Sequence, residues 1–252
     1  MTGALFTYWQ FLLGSFYFES FEPNICNGLF LARVDTTDGD FIWFKTLGGG
    51  SFNSSLTLGK DRSIYIGTNF MQNAMVNFWG RDSMIWSGLY LAKFDELGNT
   101  LLFQKMCESN SSQNLIKGIG VDSIGNMYIT GMFRGYIAFG SDSLLNYSDY
   151  GGGFFVKLDR DWRYLWGRTD GFIGKGLVVD GAGNSIVFAA TGMESINSSG
   201  VTQWSNSHSY TINNVAMDIF GNSYFVGSFG PKLKTHLTQR FFEMKLFCHF
   251  VC

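Results

Sequence analysis

The chain has 252 residues, a formal net charge of −2, 15% charged residues and 17% aromatics. That balance excludes a disordered segment or a coiled coil, both of which need far more charge, and the absence of a long basic run argues against a dedicated nucleic-acid surface. The length suffices for a large core, and repeat architectures of this size form single domains.

Met1 to Phe18 carries no charge. It lacks a basic leading region and a small-residue cleavage site, and Thr2, Gly3, Thr7, Gln10 and Gly14 interrupt it. We therefore read it as strand rather than as a signal segment or a membrane span. Trp9 to Phe16 also aligns without a gap with Asn126 to Phe133.

Further along, two phrases alternate. One is a strand that carries an aromatic residue, then a cation and an acid. It reads Gly28 to Asp35 with Phe30 and Arg33, Gly88 to Asp95 with Tyr90 and Lys93, and Gly153 to Asp159 with Phe155 and Lys157. The cations Arg33, Lys93 and Lys157 lie 60 and 64 residues apart. The other phrase is an Asp-x-x-Gly-Asn corner: Asp122, Gly125 and Asn126; Asp180, Gly183 and Asn184; Asp218, Gly221 and Asn222. The Asp carboxylate can cap backbone N–H groups two or three residues on, and Gly supplies positive φ without steric cost, so these nine residues are assigned to structural turns.

The third repeat is the cleanest. Gly118 to Val121 reads as a strand buried on both faces, Asp122 to Asn126 as a corner and Met127 to Thr130 as a second strand. Phe154 to Leu158 alternates as a third strand, Asp159 to Asp161 turns, and Tyr164 to Trp166 makes a fourth. Four short antiparallel strands at roughly 60-residue spacing match a propeller blade with one enlarged loop. Glycines and Asx turns leave no window for a 3.6-residue period, and a sandwich does not require one turn chemistry repeated in one strand order.

Together these phrases resemble the SBBP family of seven-bladed β-propeller repeats. The resemblance implies an all-β propeller, a binding or scaffolding role, and an extracellular or cell-surface setting, with no catalytic site implied. This chain departs from the pattern in several places. The first repeat lacks its opening strand and corner. Gly59-Lys-Asp61-Arg62-Ser63 stands where the second corner belongs. Only 38 residues separate Asp180 from Asp218, where Gly200 and Trp204 match Gly39 and Trp43 but the Lys-bearing strand is missing. Phe242 to Phe247, with Lys245, matches the cation strand but loses its acid. The expectation is one repeat domain of about five blades, several incomplete, as an open or partial propeller. Its repeats fall near 1–53, 54–115, 116–174, 175–211 and 212–252, and its unclosed blades could favour self-association.

Motifs for chemistry are sparse. His208, His236 and His249 form no metal or catalytic pattern, and Cys26, Cys107, Cys248 and Cys252 match no zinc module. No phosphate loop, dinucleotide fingerprint or nucleophile elbow occurs, and Gly48-Gly-Gly50-Ser51 reads as an inter-blade link. Catalytic residues, metal sites and cofactors are therefore assigned as none. The recurring cations Arg33, Lys93, Lys157 and Lys245 are expected to pair locally. Asn53, Asn110, Asn146 and Asn197 open Asn-x-Ser triplets, which matter only in a eukaryotic secretory route.

The long loops 71–87 and 134–151 are the candidate recognition elements. Phe78-Trp79-Gly80 and Ala138-Phe139-Gly140 repeat between them and read as structural tucks. Trp86, Tyr147 and Tyr150 differ between copies and are the candidate ligand contacts, suited to a protein or carbohydrate surface. The expected function is non-enzymatic binding or scaffolding. The alternatives are a propeller-fold lyase or hydrolase acting on saccharides or lactones, and a truncated gene remnant.

Overall fold

The computed structural model describes residues 10–13, 16–19, 28–49, 51–109, 111, 114–146, 148, 151–170, 174–189, 192–207, 211–218 and 220–228. All regular structure among them is β. Strands β1 (Gln10–Leu13) and β2 (Phe16–Glu19) pair with each other as a hairpin. The stretch that aligns with a single strand of the third repeat is thus divided into two. β3 (Gly28–Val34) and β4 (Phe41–Gly49) open the first blade. β5 (Ser51–Leu58) and β6 (Ile64–Phe70) begin the second. The chain then leaves for a hairpin, β7 (Ala74–Val76) and β8 (Ser83–Ile85), and returns as β9 (Gly88–Phe94) and β10 (Thr100–Lys105).

A short β11 (Glu108–Ser109) precedes the third blade. That blade consists of β12 (Leu115–Val121) and β13 (Met127–Phe133), a hairpin of β14 (Gly135–Phe139) and β15 (Asp142–Asn146), then β16 (Gly152–Leu158) and β17 (Tyr164–Asp170). The fourth blade runs β18 (Gly176–Val179), β19 (Ser185–Phe188), β20 (Gly192–Ile196) and β21 (Thr202–Ser207). β22 (Thr211–Met217) and β23 (Ser223–Ser228) are the described part of the fifth.

The second, third and fourth blades are four-stranded antiparallel meanders. Each excursion hairpin pairs with the blade before its own. β7 bonds β4 at Gly48 and Val76, and β14 bonds β11, which follows the second blade's outer strand β10. Gly48 makes the first contact possible, since a Cβ there would lie 2.5 Å from the Met75 carbonyl. The expected inter-blade link at Gly48 is therefore a strand end carrying a neighbour's hairpin.

The structure corrects the reading of the fourth repeat. Its third strand is present as β20, with Ser195 opposite Trp204, the register that Lys157 holds opposite Trp166. The strand escapes detection because Ser replaces the cation and Asn197 replaces the acid. The aromatic phrase also begins one residue earlier in the third blade. Gly152 pairs Phe133 as Gly88 pairs Phe70.

Period-two alternation sends side chains of one blade into two different clusters. In the third blade, Met127, Ile129, Phe154 and Val156 join Tyr65, Leu89 and Leu91 of the second. Tyr128 and Phe155 turn the other way, onto Leu177, Val187 and Ile196 of the fourth. Leu29, Leu31 and Leu47 of the first blade meet Ile66, Phe70 and Phe94 of the second, and Phe188 and Met193 of the fourth meet Ile212 of the fifth. Each described blade therefore buries an apolar face against a neighbour in the chain, which is the arrangement of a β-propeller-type repeat protein.

Cys107 lies in this core, where burial pushes its thiol up to about 12. In a chain with Cys26, Cys248 and Cys252 replaced by serine, it is expected to meet a thiol reagent only as fast as the fold opens. Reaction of the folded protein at a free cysteine's rate would contradict that burial.

Candidate functional site

Antiparallel meanders place the turns between first and second strands, and between third and fourth, at one end of every blade. The hairpins and blade-to-blade links occupy the opposite end. At the corner end, Asp122, Asp180 and Asp218 make one set of bonds. Each Oδ1 accepts the N–H groups two and four residues on, at 2.8 to 3.1 Å, and each Oδ2 accepts the Asn side-chain amide at 2.8 Å. Gly125, Gly183 and Gly221 take φ of +93°, +86° and +84°.

The same chemistry recurs between third and fourth strands, at Asp95, Asp159 and Asn197. In the second blade Gly59 holds the corner position and Arg62 takes the positive φ of +62°. Asp61 supplies the capping carboxylate there, accepting the Ser63 N–H at 3.1 Å. Asp122 is buried and also accepts the Tyr128 hydroxyl at 3.3 Å. These carboxylates are spent on their own turns.

The strand cations also have local partners. Lys157 donates to the Ser198 carbonyl at 2.8 Å and lies 5.0 Å over the Tyr128 ring. Burial moves its ammonium below the usual range, against the pull of Asp122. Lys93 lies 5.0 Å over the Tyr65 ring and pairs with Asp61 at 3.2 Å. Burial works against its charge, but Tyr65 and Asp61 outweigh it and hold the ammonium above its usual range. Arg33 donates to the Glu96 carbonyl at 3.2 Å. Lys245 lies outside the described residues.

A tryptophan accompanies the cation at two interfaces. Trp43 donates to the Glu96 carbonyl at 3.1 Å, and its ring lies under Gly98 of the next blade. Trp166 donates to the Ser198 carbonyl at 3.3 Å under Gly200. Between the second and third blades the residues are exchanged. Leu102 holds the tryptophan register opposite Lys93, and the turn residue is the buried Trp162, at φ of +63°. One indole thus serves each of these three interfaces, delivered twice from the strand and once from the turn.

The loop aromatics divide in the same manner. Phe78 is buried, with its ring 3.8 Å from that of Phe103, and Phe139 stacks on Tyr164 at 5.0 Å. Trp79 and Trp86 are exposed, and the Trp86 carbonyl accepts the Tyr90 hydroxyl at 2.9 Å. Tyr147, Tyr150 and all three histidines lie outside the described residues, as do Cys26, Cys248 and Cys252. Among the described residues no three metal-ligating side chains come together.

A hollow of about 420 Å³, the channel, is walled by the innermost strands β5, β12, β18 and β22. Close approach of these strands depends on glycine. A Cβ on Gly118 would sit 2.9 Å from the Gly176 Cα. At the corner end, Ser123 binds the Gly181 carbonyl through both its N–H and its hydroxyl, at 3.1 and 2.5 Å, linking two blades beneath the channel. Toward the hairpin end the wall carries Lys117, Lys175 and Asn213, each five residues before its corner acid.

Lys117 and Asn213 stand at breaks in strand register, which re-aim side chains. The Lys117 ammonium donates to Asn53 Oδ1 at 3.4 Å. Asn69, paired with Asn53 across the sheet, is fully buried, and both its amide atoms lack a protein partner. A second hollow of about 390 Å³ lies between corners of the second and third blades. Its Lys93, Asp61 and Asp122 are already committed to one another or to their turns.

Sequence reasoning missed the channel lysines. Their shared spacing from Asp122 and Asp180 was the signal that could have found them.

No protein-family model matches the chain, and no curated protein matches it. Solved structures resemble it weakly. A protein of unknown function from Bacteroides caccae shares 14% identity at a TM-score of 0.47, covering 79% of this chain and 61% of its own. A gluconolactonase from Xanthomonas campestris shares 14% identity at 0.46, covering 77% and 61%. The Pan2 WD40 domain of Neurospora crassa shares 10% at 0.40, covering 74% and 59%. The chain thus spans about 61% of the length of the first two. On its own sheets, registers and shared cores, the chain is an all-β, β-propeller-type repeat protein.

Proposed function

We propose that this chain is a non-enzymatic binding module of the SBBP repeat type, organised as one domain with repeats near 1–53, 54–115, 116–174, 175–211 and 212–252. Its ligand enters the central channel from the hairpin end. The observation that carries this reading is the channel wall itself. Four successive blades contribute their innermost strands, and polar side chains gather toward one end above an apolar lining that includes Leu177, Phe188 and Val215. Among the described lining residues there is no carboxylate, imidazole, thiol or phenol to move a proton. A rigid concave scaffold with few polar groups suits recognition better than acid–base chemistry. Extracellular placement follows from the family resemblance alone.

Screening the full chain against a panel of sugars, sugar acids and sugar phosphates tests the reading. Asn214 is exposed and lines the channel, its Oδ1 accepting the neighbouring Val215 N–H at 2.8 Å, so Asn214→Trp is expected to abolish binding of any hit while leaving the melting temperature near that of the parent. Binding that survives Asn214→Trp would place the ligand elsewhere, with the exposed Trp86 as the next candidate contact.

A further inference from the structure

We infer that the channel takes a small ligand bearing an oxyanion, a carboxylate or phosphate carried on a sugar-sized polar body. This rests on the channel being the binding site. Lys117 and Lys175 come from adjacent blades, line the same hollow and occupy the same position relative to their corners. No acidic side chain lines the channel with them among the described residues. In this fold the other inward cations have committed partners: Lys93 has Asp61, and Lys157 has the Ser198 carbonyl. Lys117, by contrast, has among the described residues one long contact to a neutral amide oxygen at 3.4 Å, and Lys175 is exposed.

Two ammonium groups lining one concavity repel each other, and an anion between them relieves that repulsion. The strand-register break at Lys117 is a second sign of purpose. Regular pairing skips Lys117 there, and Lys117 lines the hollow. A hollow of about 420 Å³ lies in the range of small-ligand sites and matches a monosaccharide derivative.

The test is calorimetric titration of the full chain with glucuronate, glucose 6-phosphate and glucose. At least one of the two anions is expected to bind about ten-fold or more tighter than glucose, because charge-assisted hydrogen bonds are roughly twice as strong as neutral ones. Which anion leads identifies carboxylate or phosphate as the recognised group. Lys117→Gln and Lys175→Gln are each expected to weaken that anion several-fold, and added salt to weaken it further, with both variants melting like the parent.

Glucose binding as tightly as both anions, in a manner abolished by Asn214→Trp, would overturn the oxyanion inference and leave the channel reading standing. Anion binding indifferent to both lysine substitutions would overturn it as well. Failure of all three compounds to bind, or binding that ignores Asn214→Trp, would remove the channel reading together with the inference.

Discussion

Gly183→Ala is expected to destabilise the protein by about 3 kcal/mol, while Gly221→Ala, at the same corner of the next blade, costs only about 1 kcal/mol. The two glycines share a backbone conformation, φ of +86° and +84°, so the left-handed strain of an alanine is common to both. They differ in what a methyl group would meet. At Gly221 nothing lies within 4 Å. At Gly183 the methyl would fall onto the Tyr128 hydroxyl, with the Tyr128 ring carbon and Ser198 Cβ each 3.1 Å away. Tyr128 cannot step aside. It is fully buried, its hydroxyl bonds Asp122, and its ring lies 6.2 and 6.3 Å from the rings of Phe155 and Trp166. Urea denaturation of both variants checks the contrast. Equal losses would mean that the third and fourth blades are not in contact at this corner.

The exchanged tryptophan gives the second large effect. Trp162→Gly removes a buried indole from the core between the second and third blades and relieves its positive φ, for a net loss of about 3 kcal/mol. Leu102→Trp alone forces an indole against the one already there and costs about 2 kcal/mol. Combined, they recreate the pattern of Trp43 under Gly98 and of Trp166 under Gly200. The double variant is therefore expected to lose about 2 kcal/mol rather than the 5 or so of two independent changes. Its new indole N–H also gains a carbonyl to aim at, that of Arg160, whereas the Trp162 N–H lacks a partner among the described residues.

Much of the fold was legible because its devices are local. An Asp capping its own turn and a glycine at positive φ leave a mark within five residues, so the corners at Asp122, Asp180 and Asp218 declare themselves. The cation strands do likewise. What escaped depends on partners far along the chain. The hairpin at Ala74–Val76 is claimed by the first blade through Gly48, a choice that no short window records. The strand Gly192–Ile196 lost both marker residues and kept only its pairing, although the Asn197 and Gly200 corner behind it was a usable trace.

The candidate site was less legible still. Lys117 and Lys175 belong to no motif and become neighbours only when two innermost strands meet at Gly118 and Gly176. Of the loop aromatics, Phe78 and Phe139 are absorbed into packing, as their repetition suggested, and Trp86 keeps its face to solvent.

The account as a whole requires that successive sheets lock together through equivalent positions. The double-mutant cycle between Leu102 and Trp162, read by equilibrium urea denaturation, addresses that requirement most directly. A coupling of about 3 kcal/mol in favour of the exchanged pair is expected, whereas additivity within about 0.5 kcal/mol would show that the two positions do not share an interface.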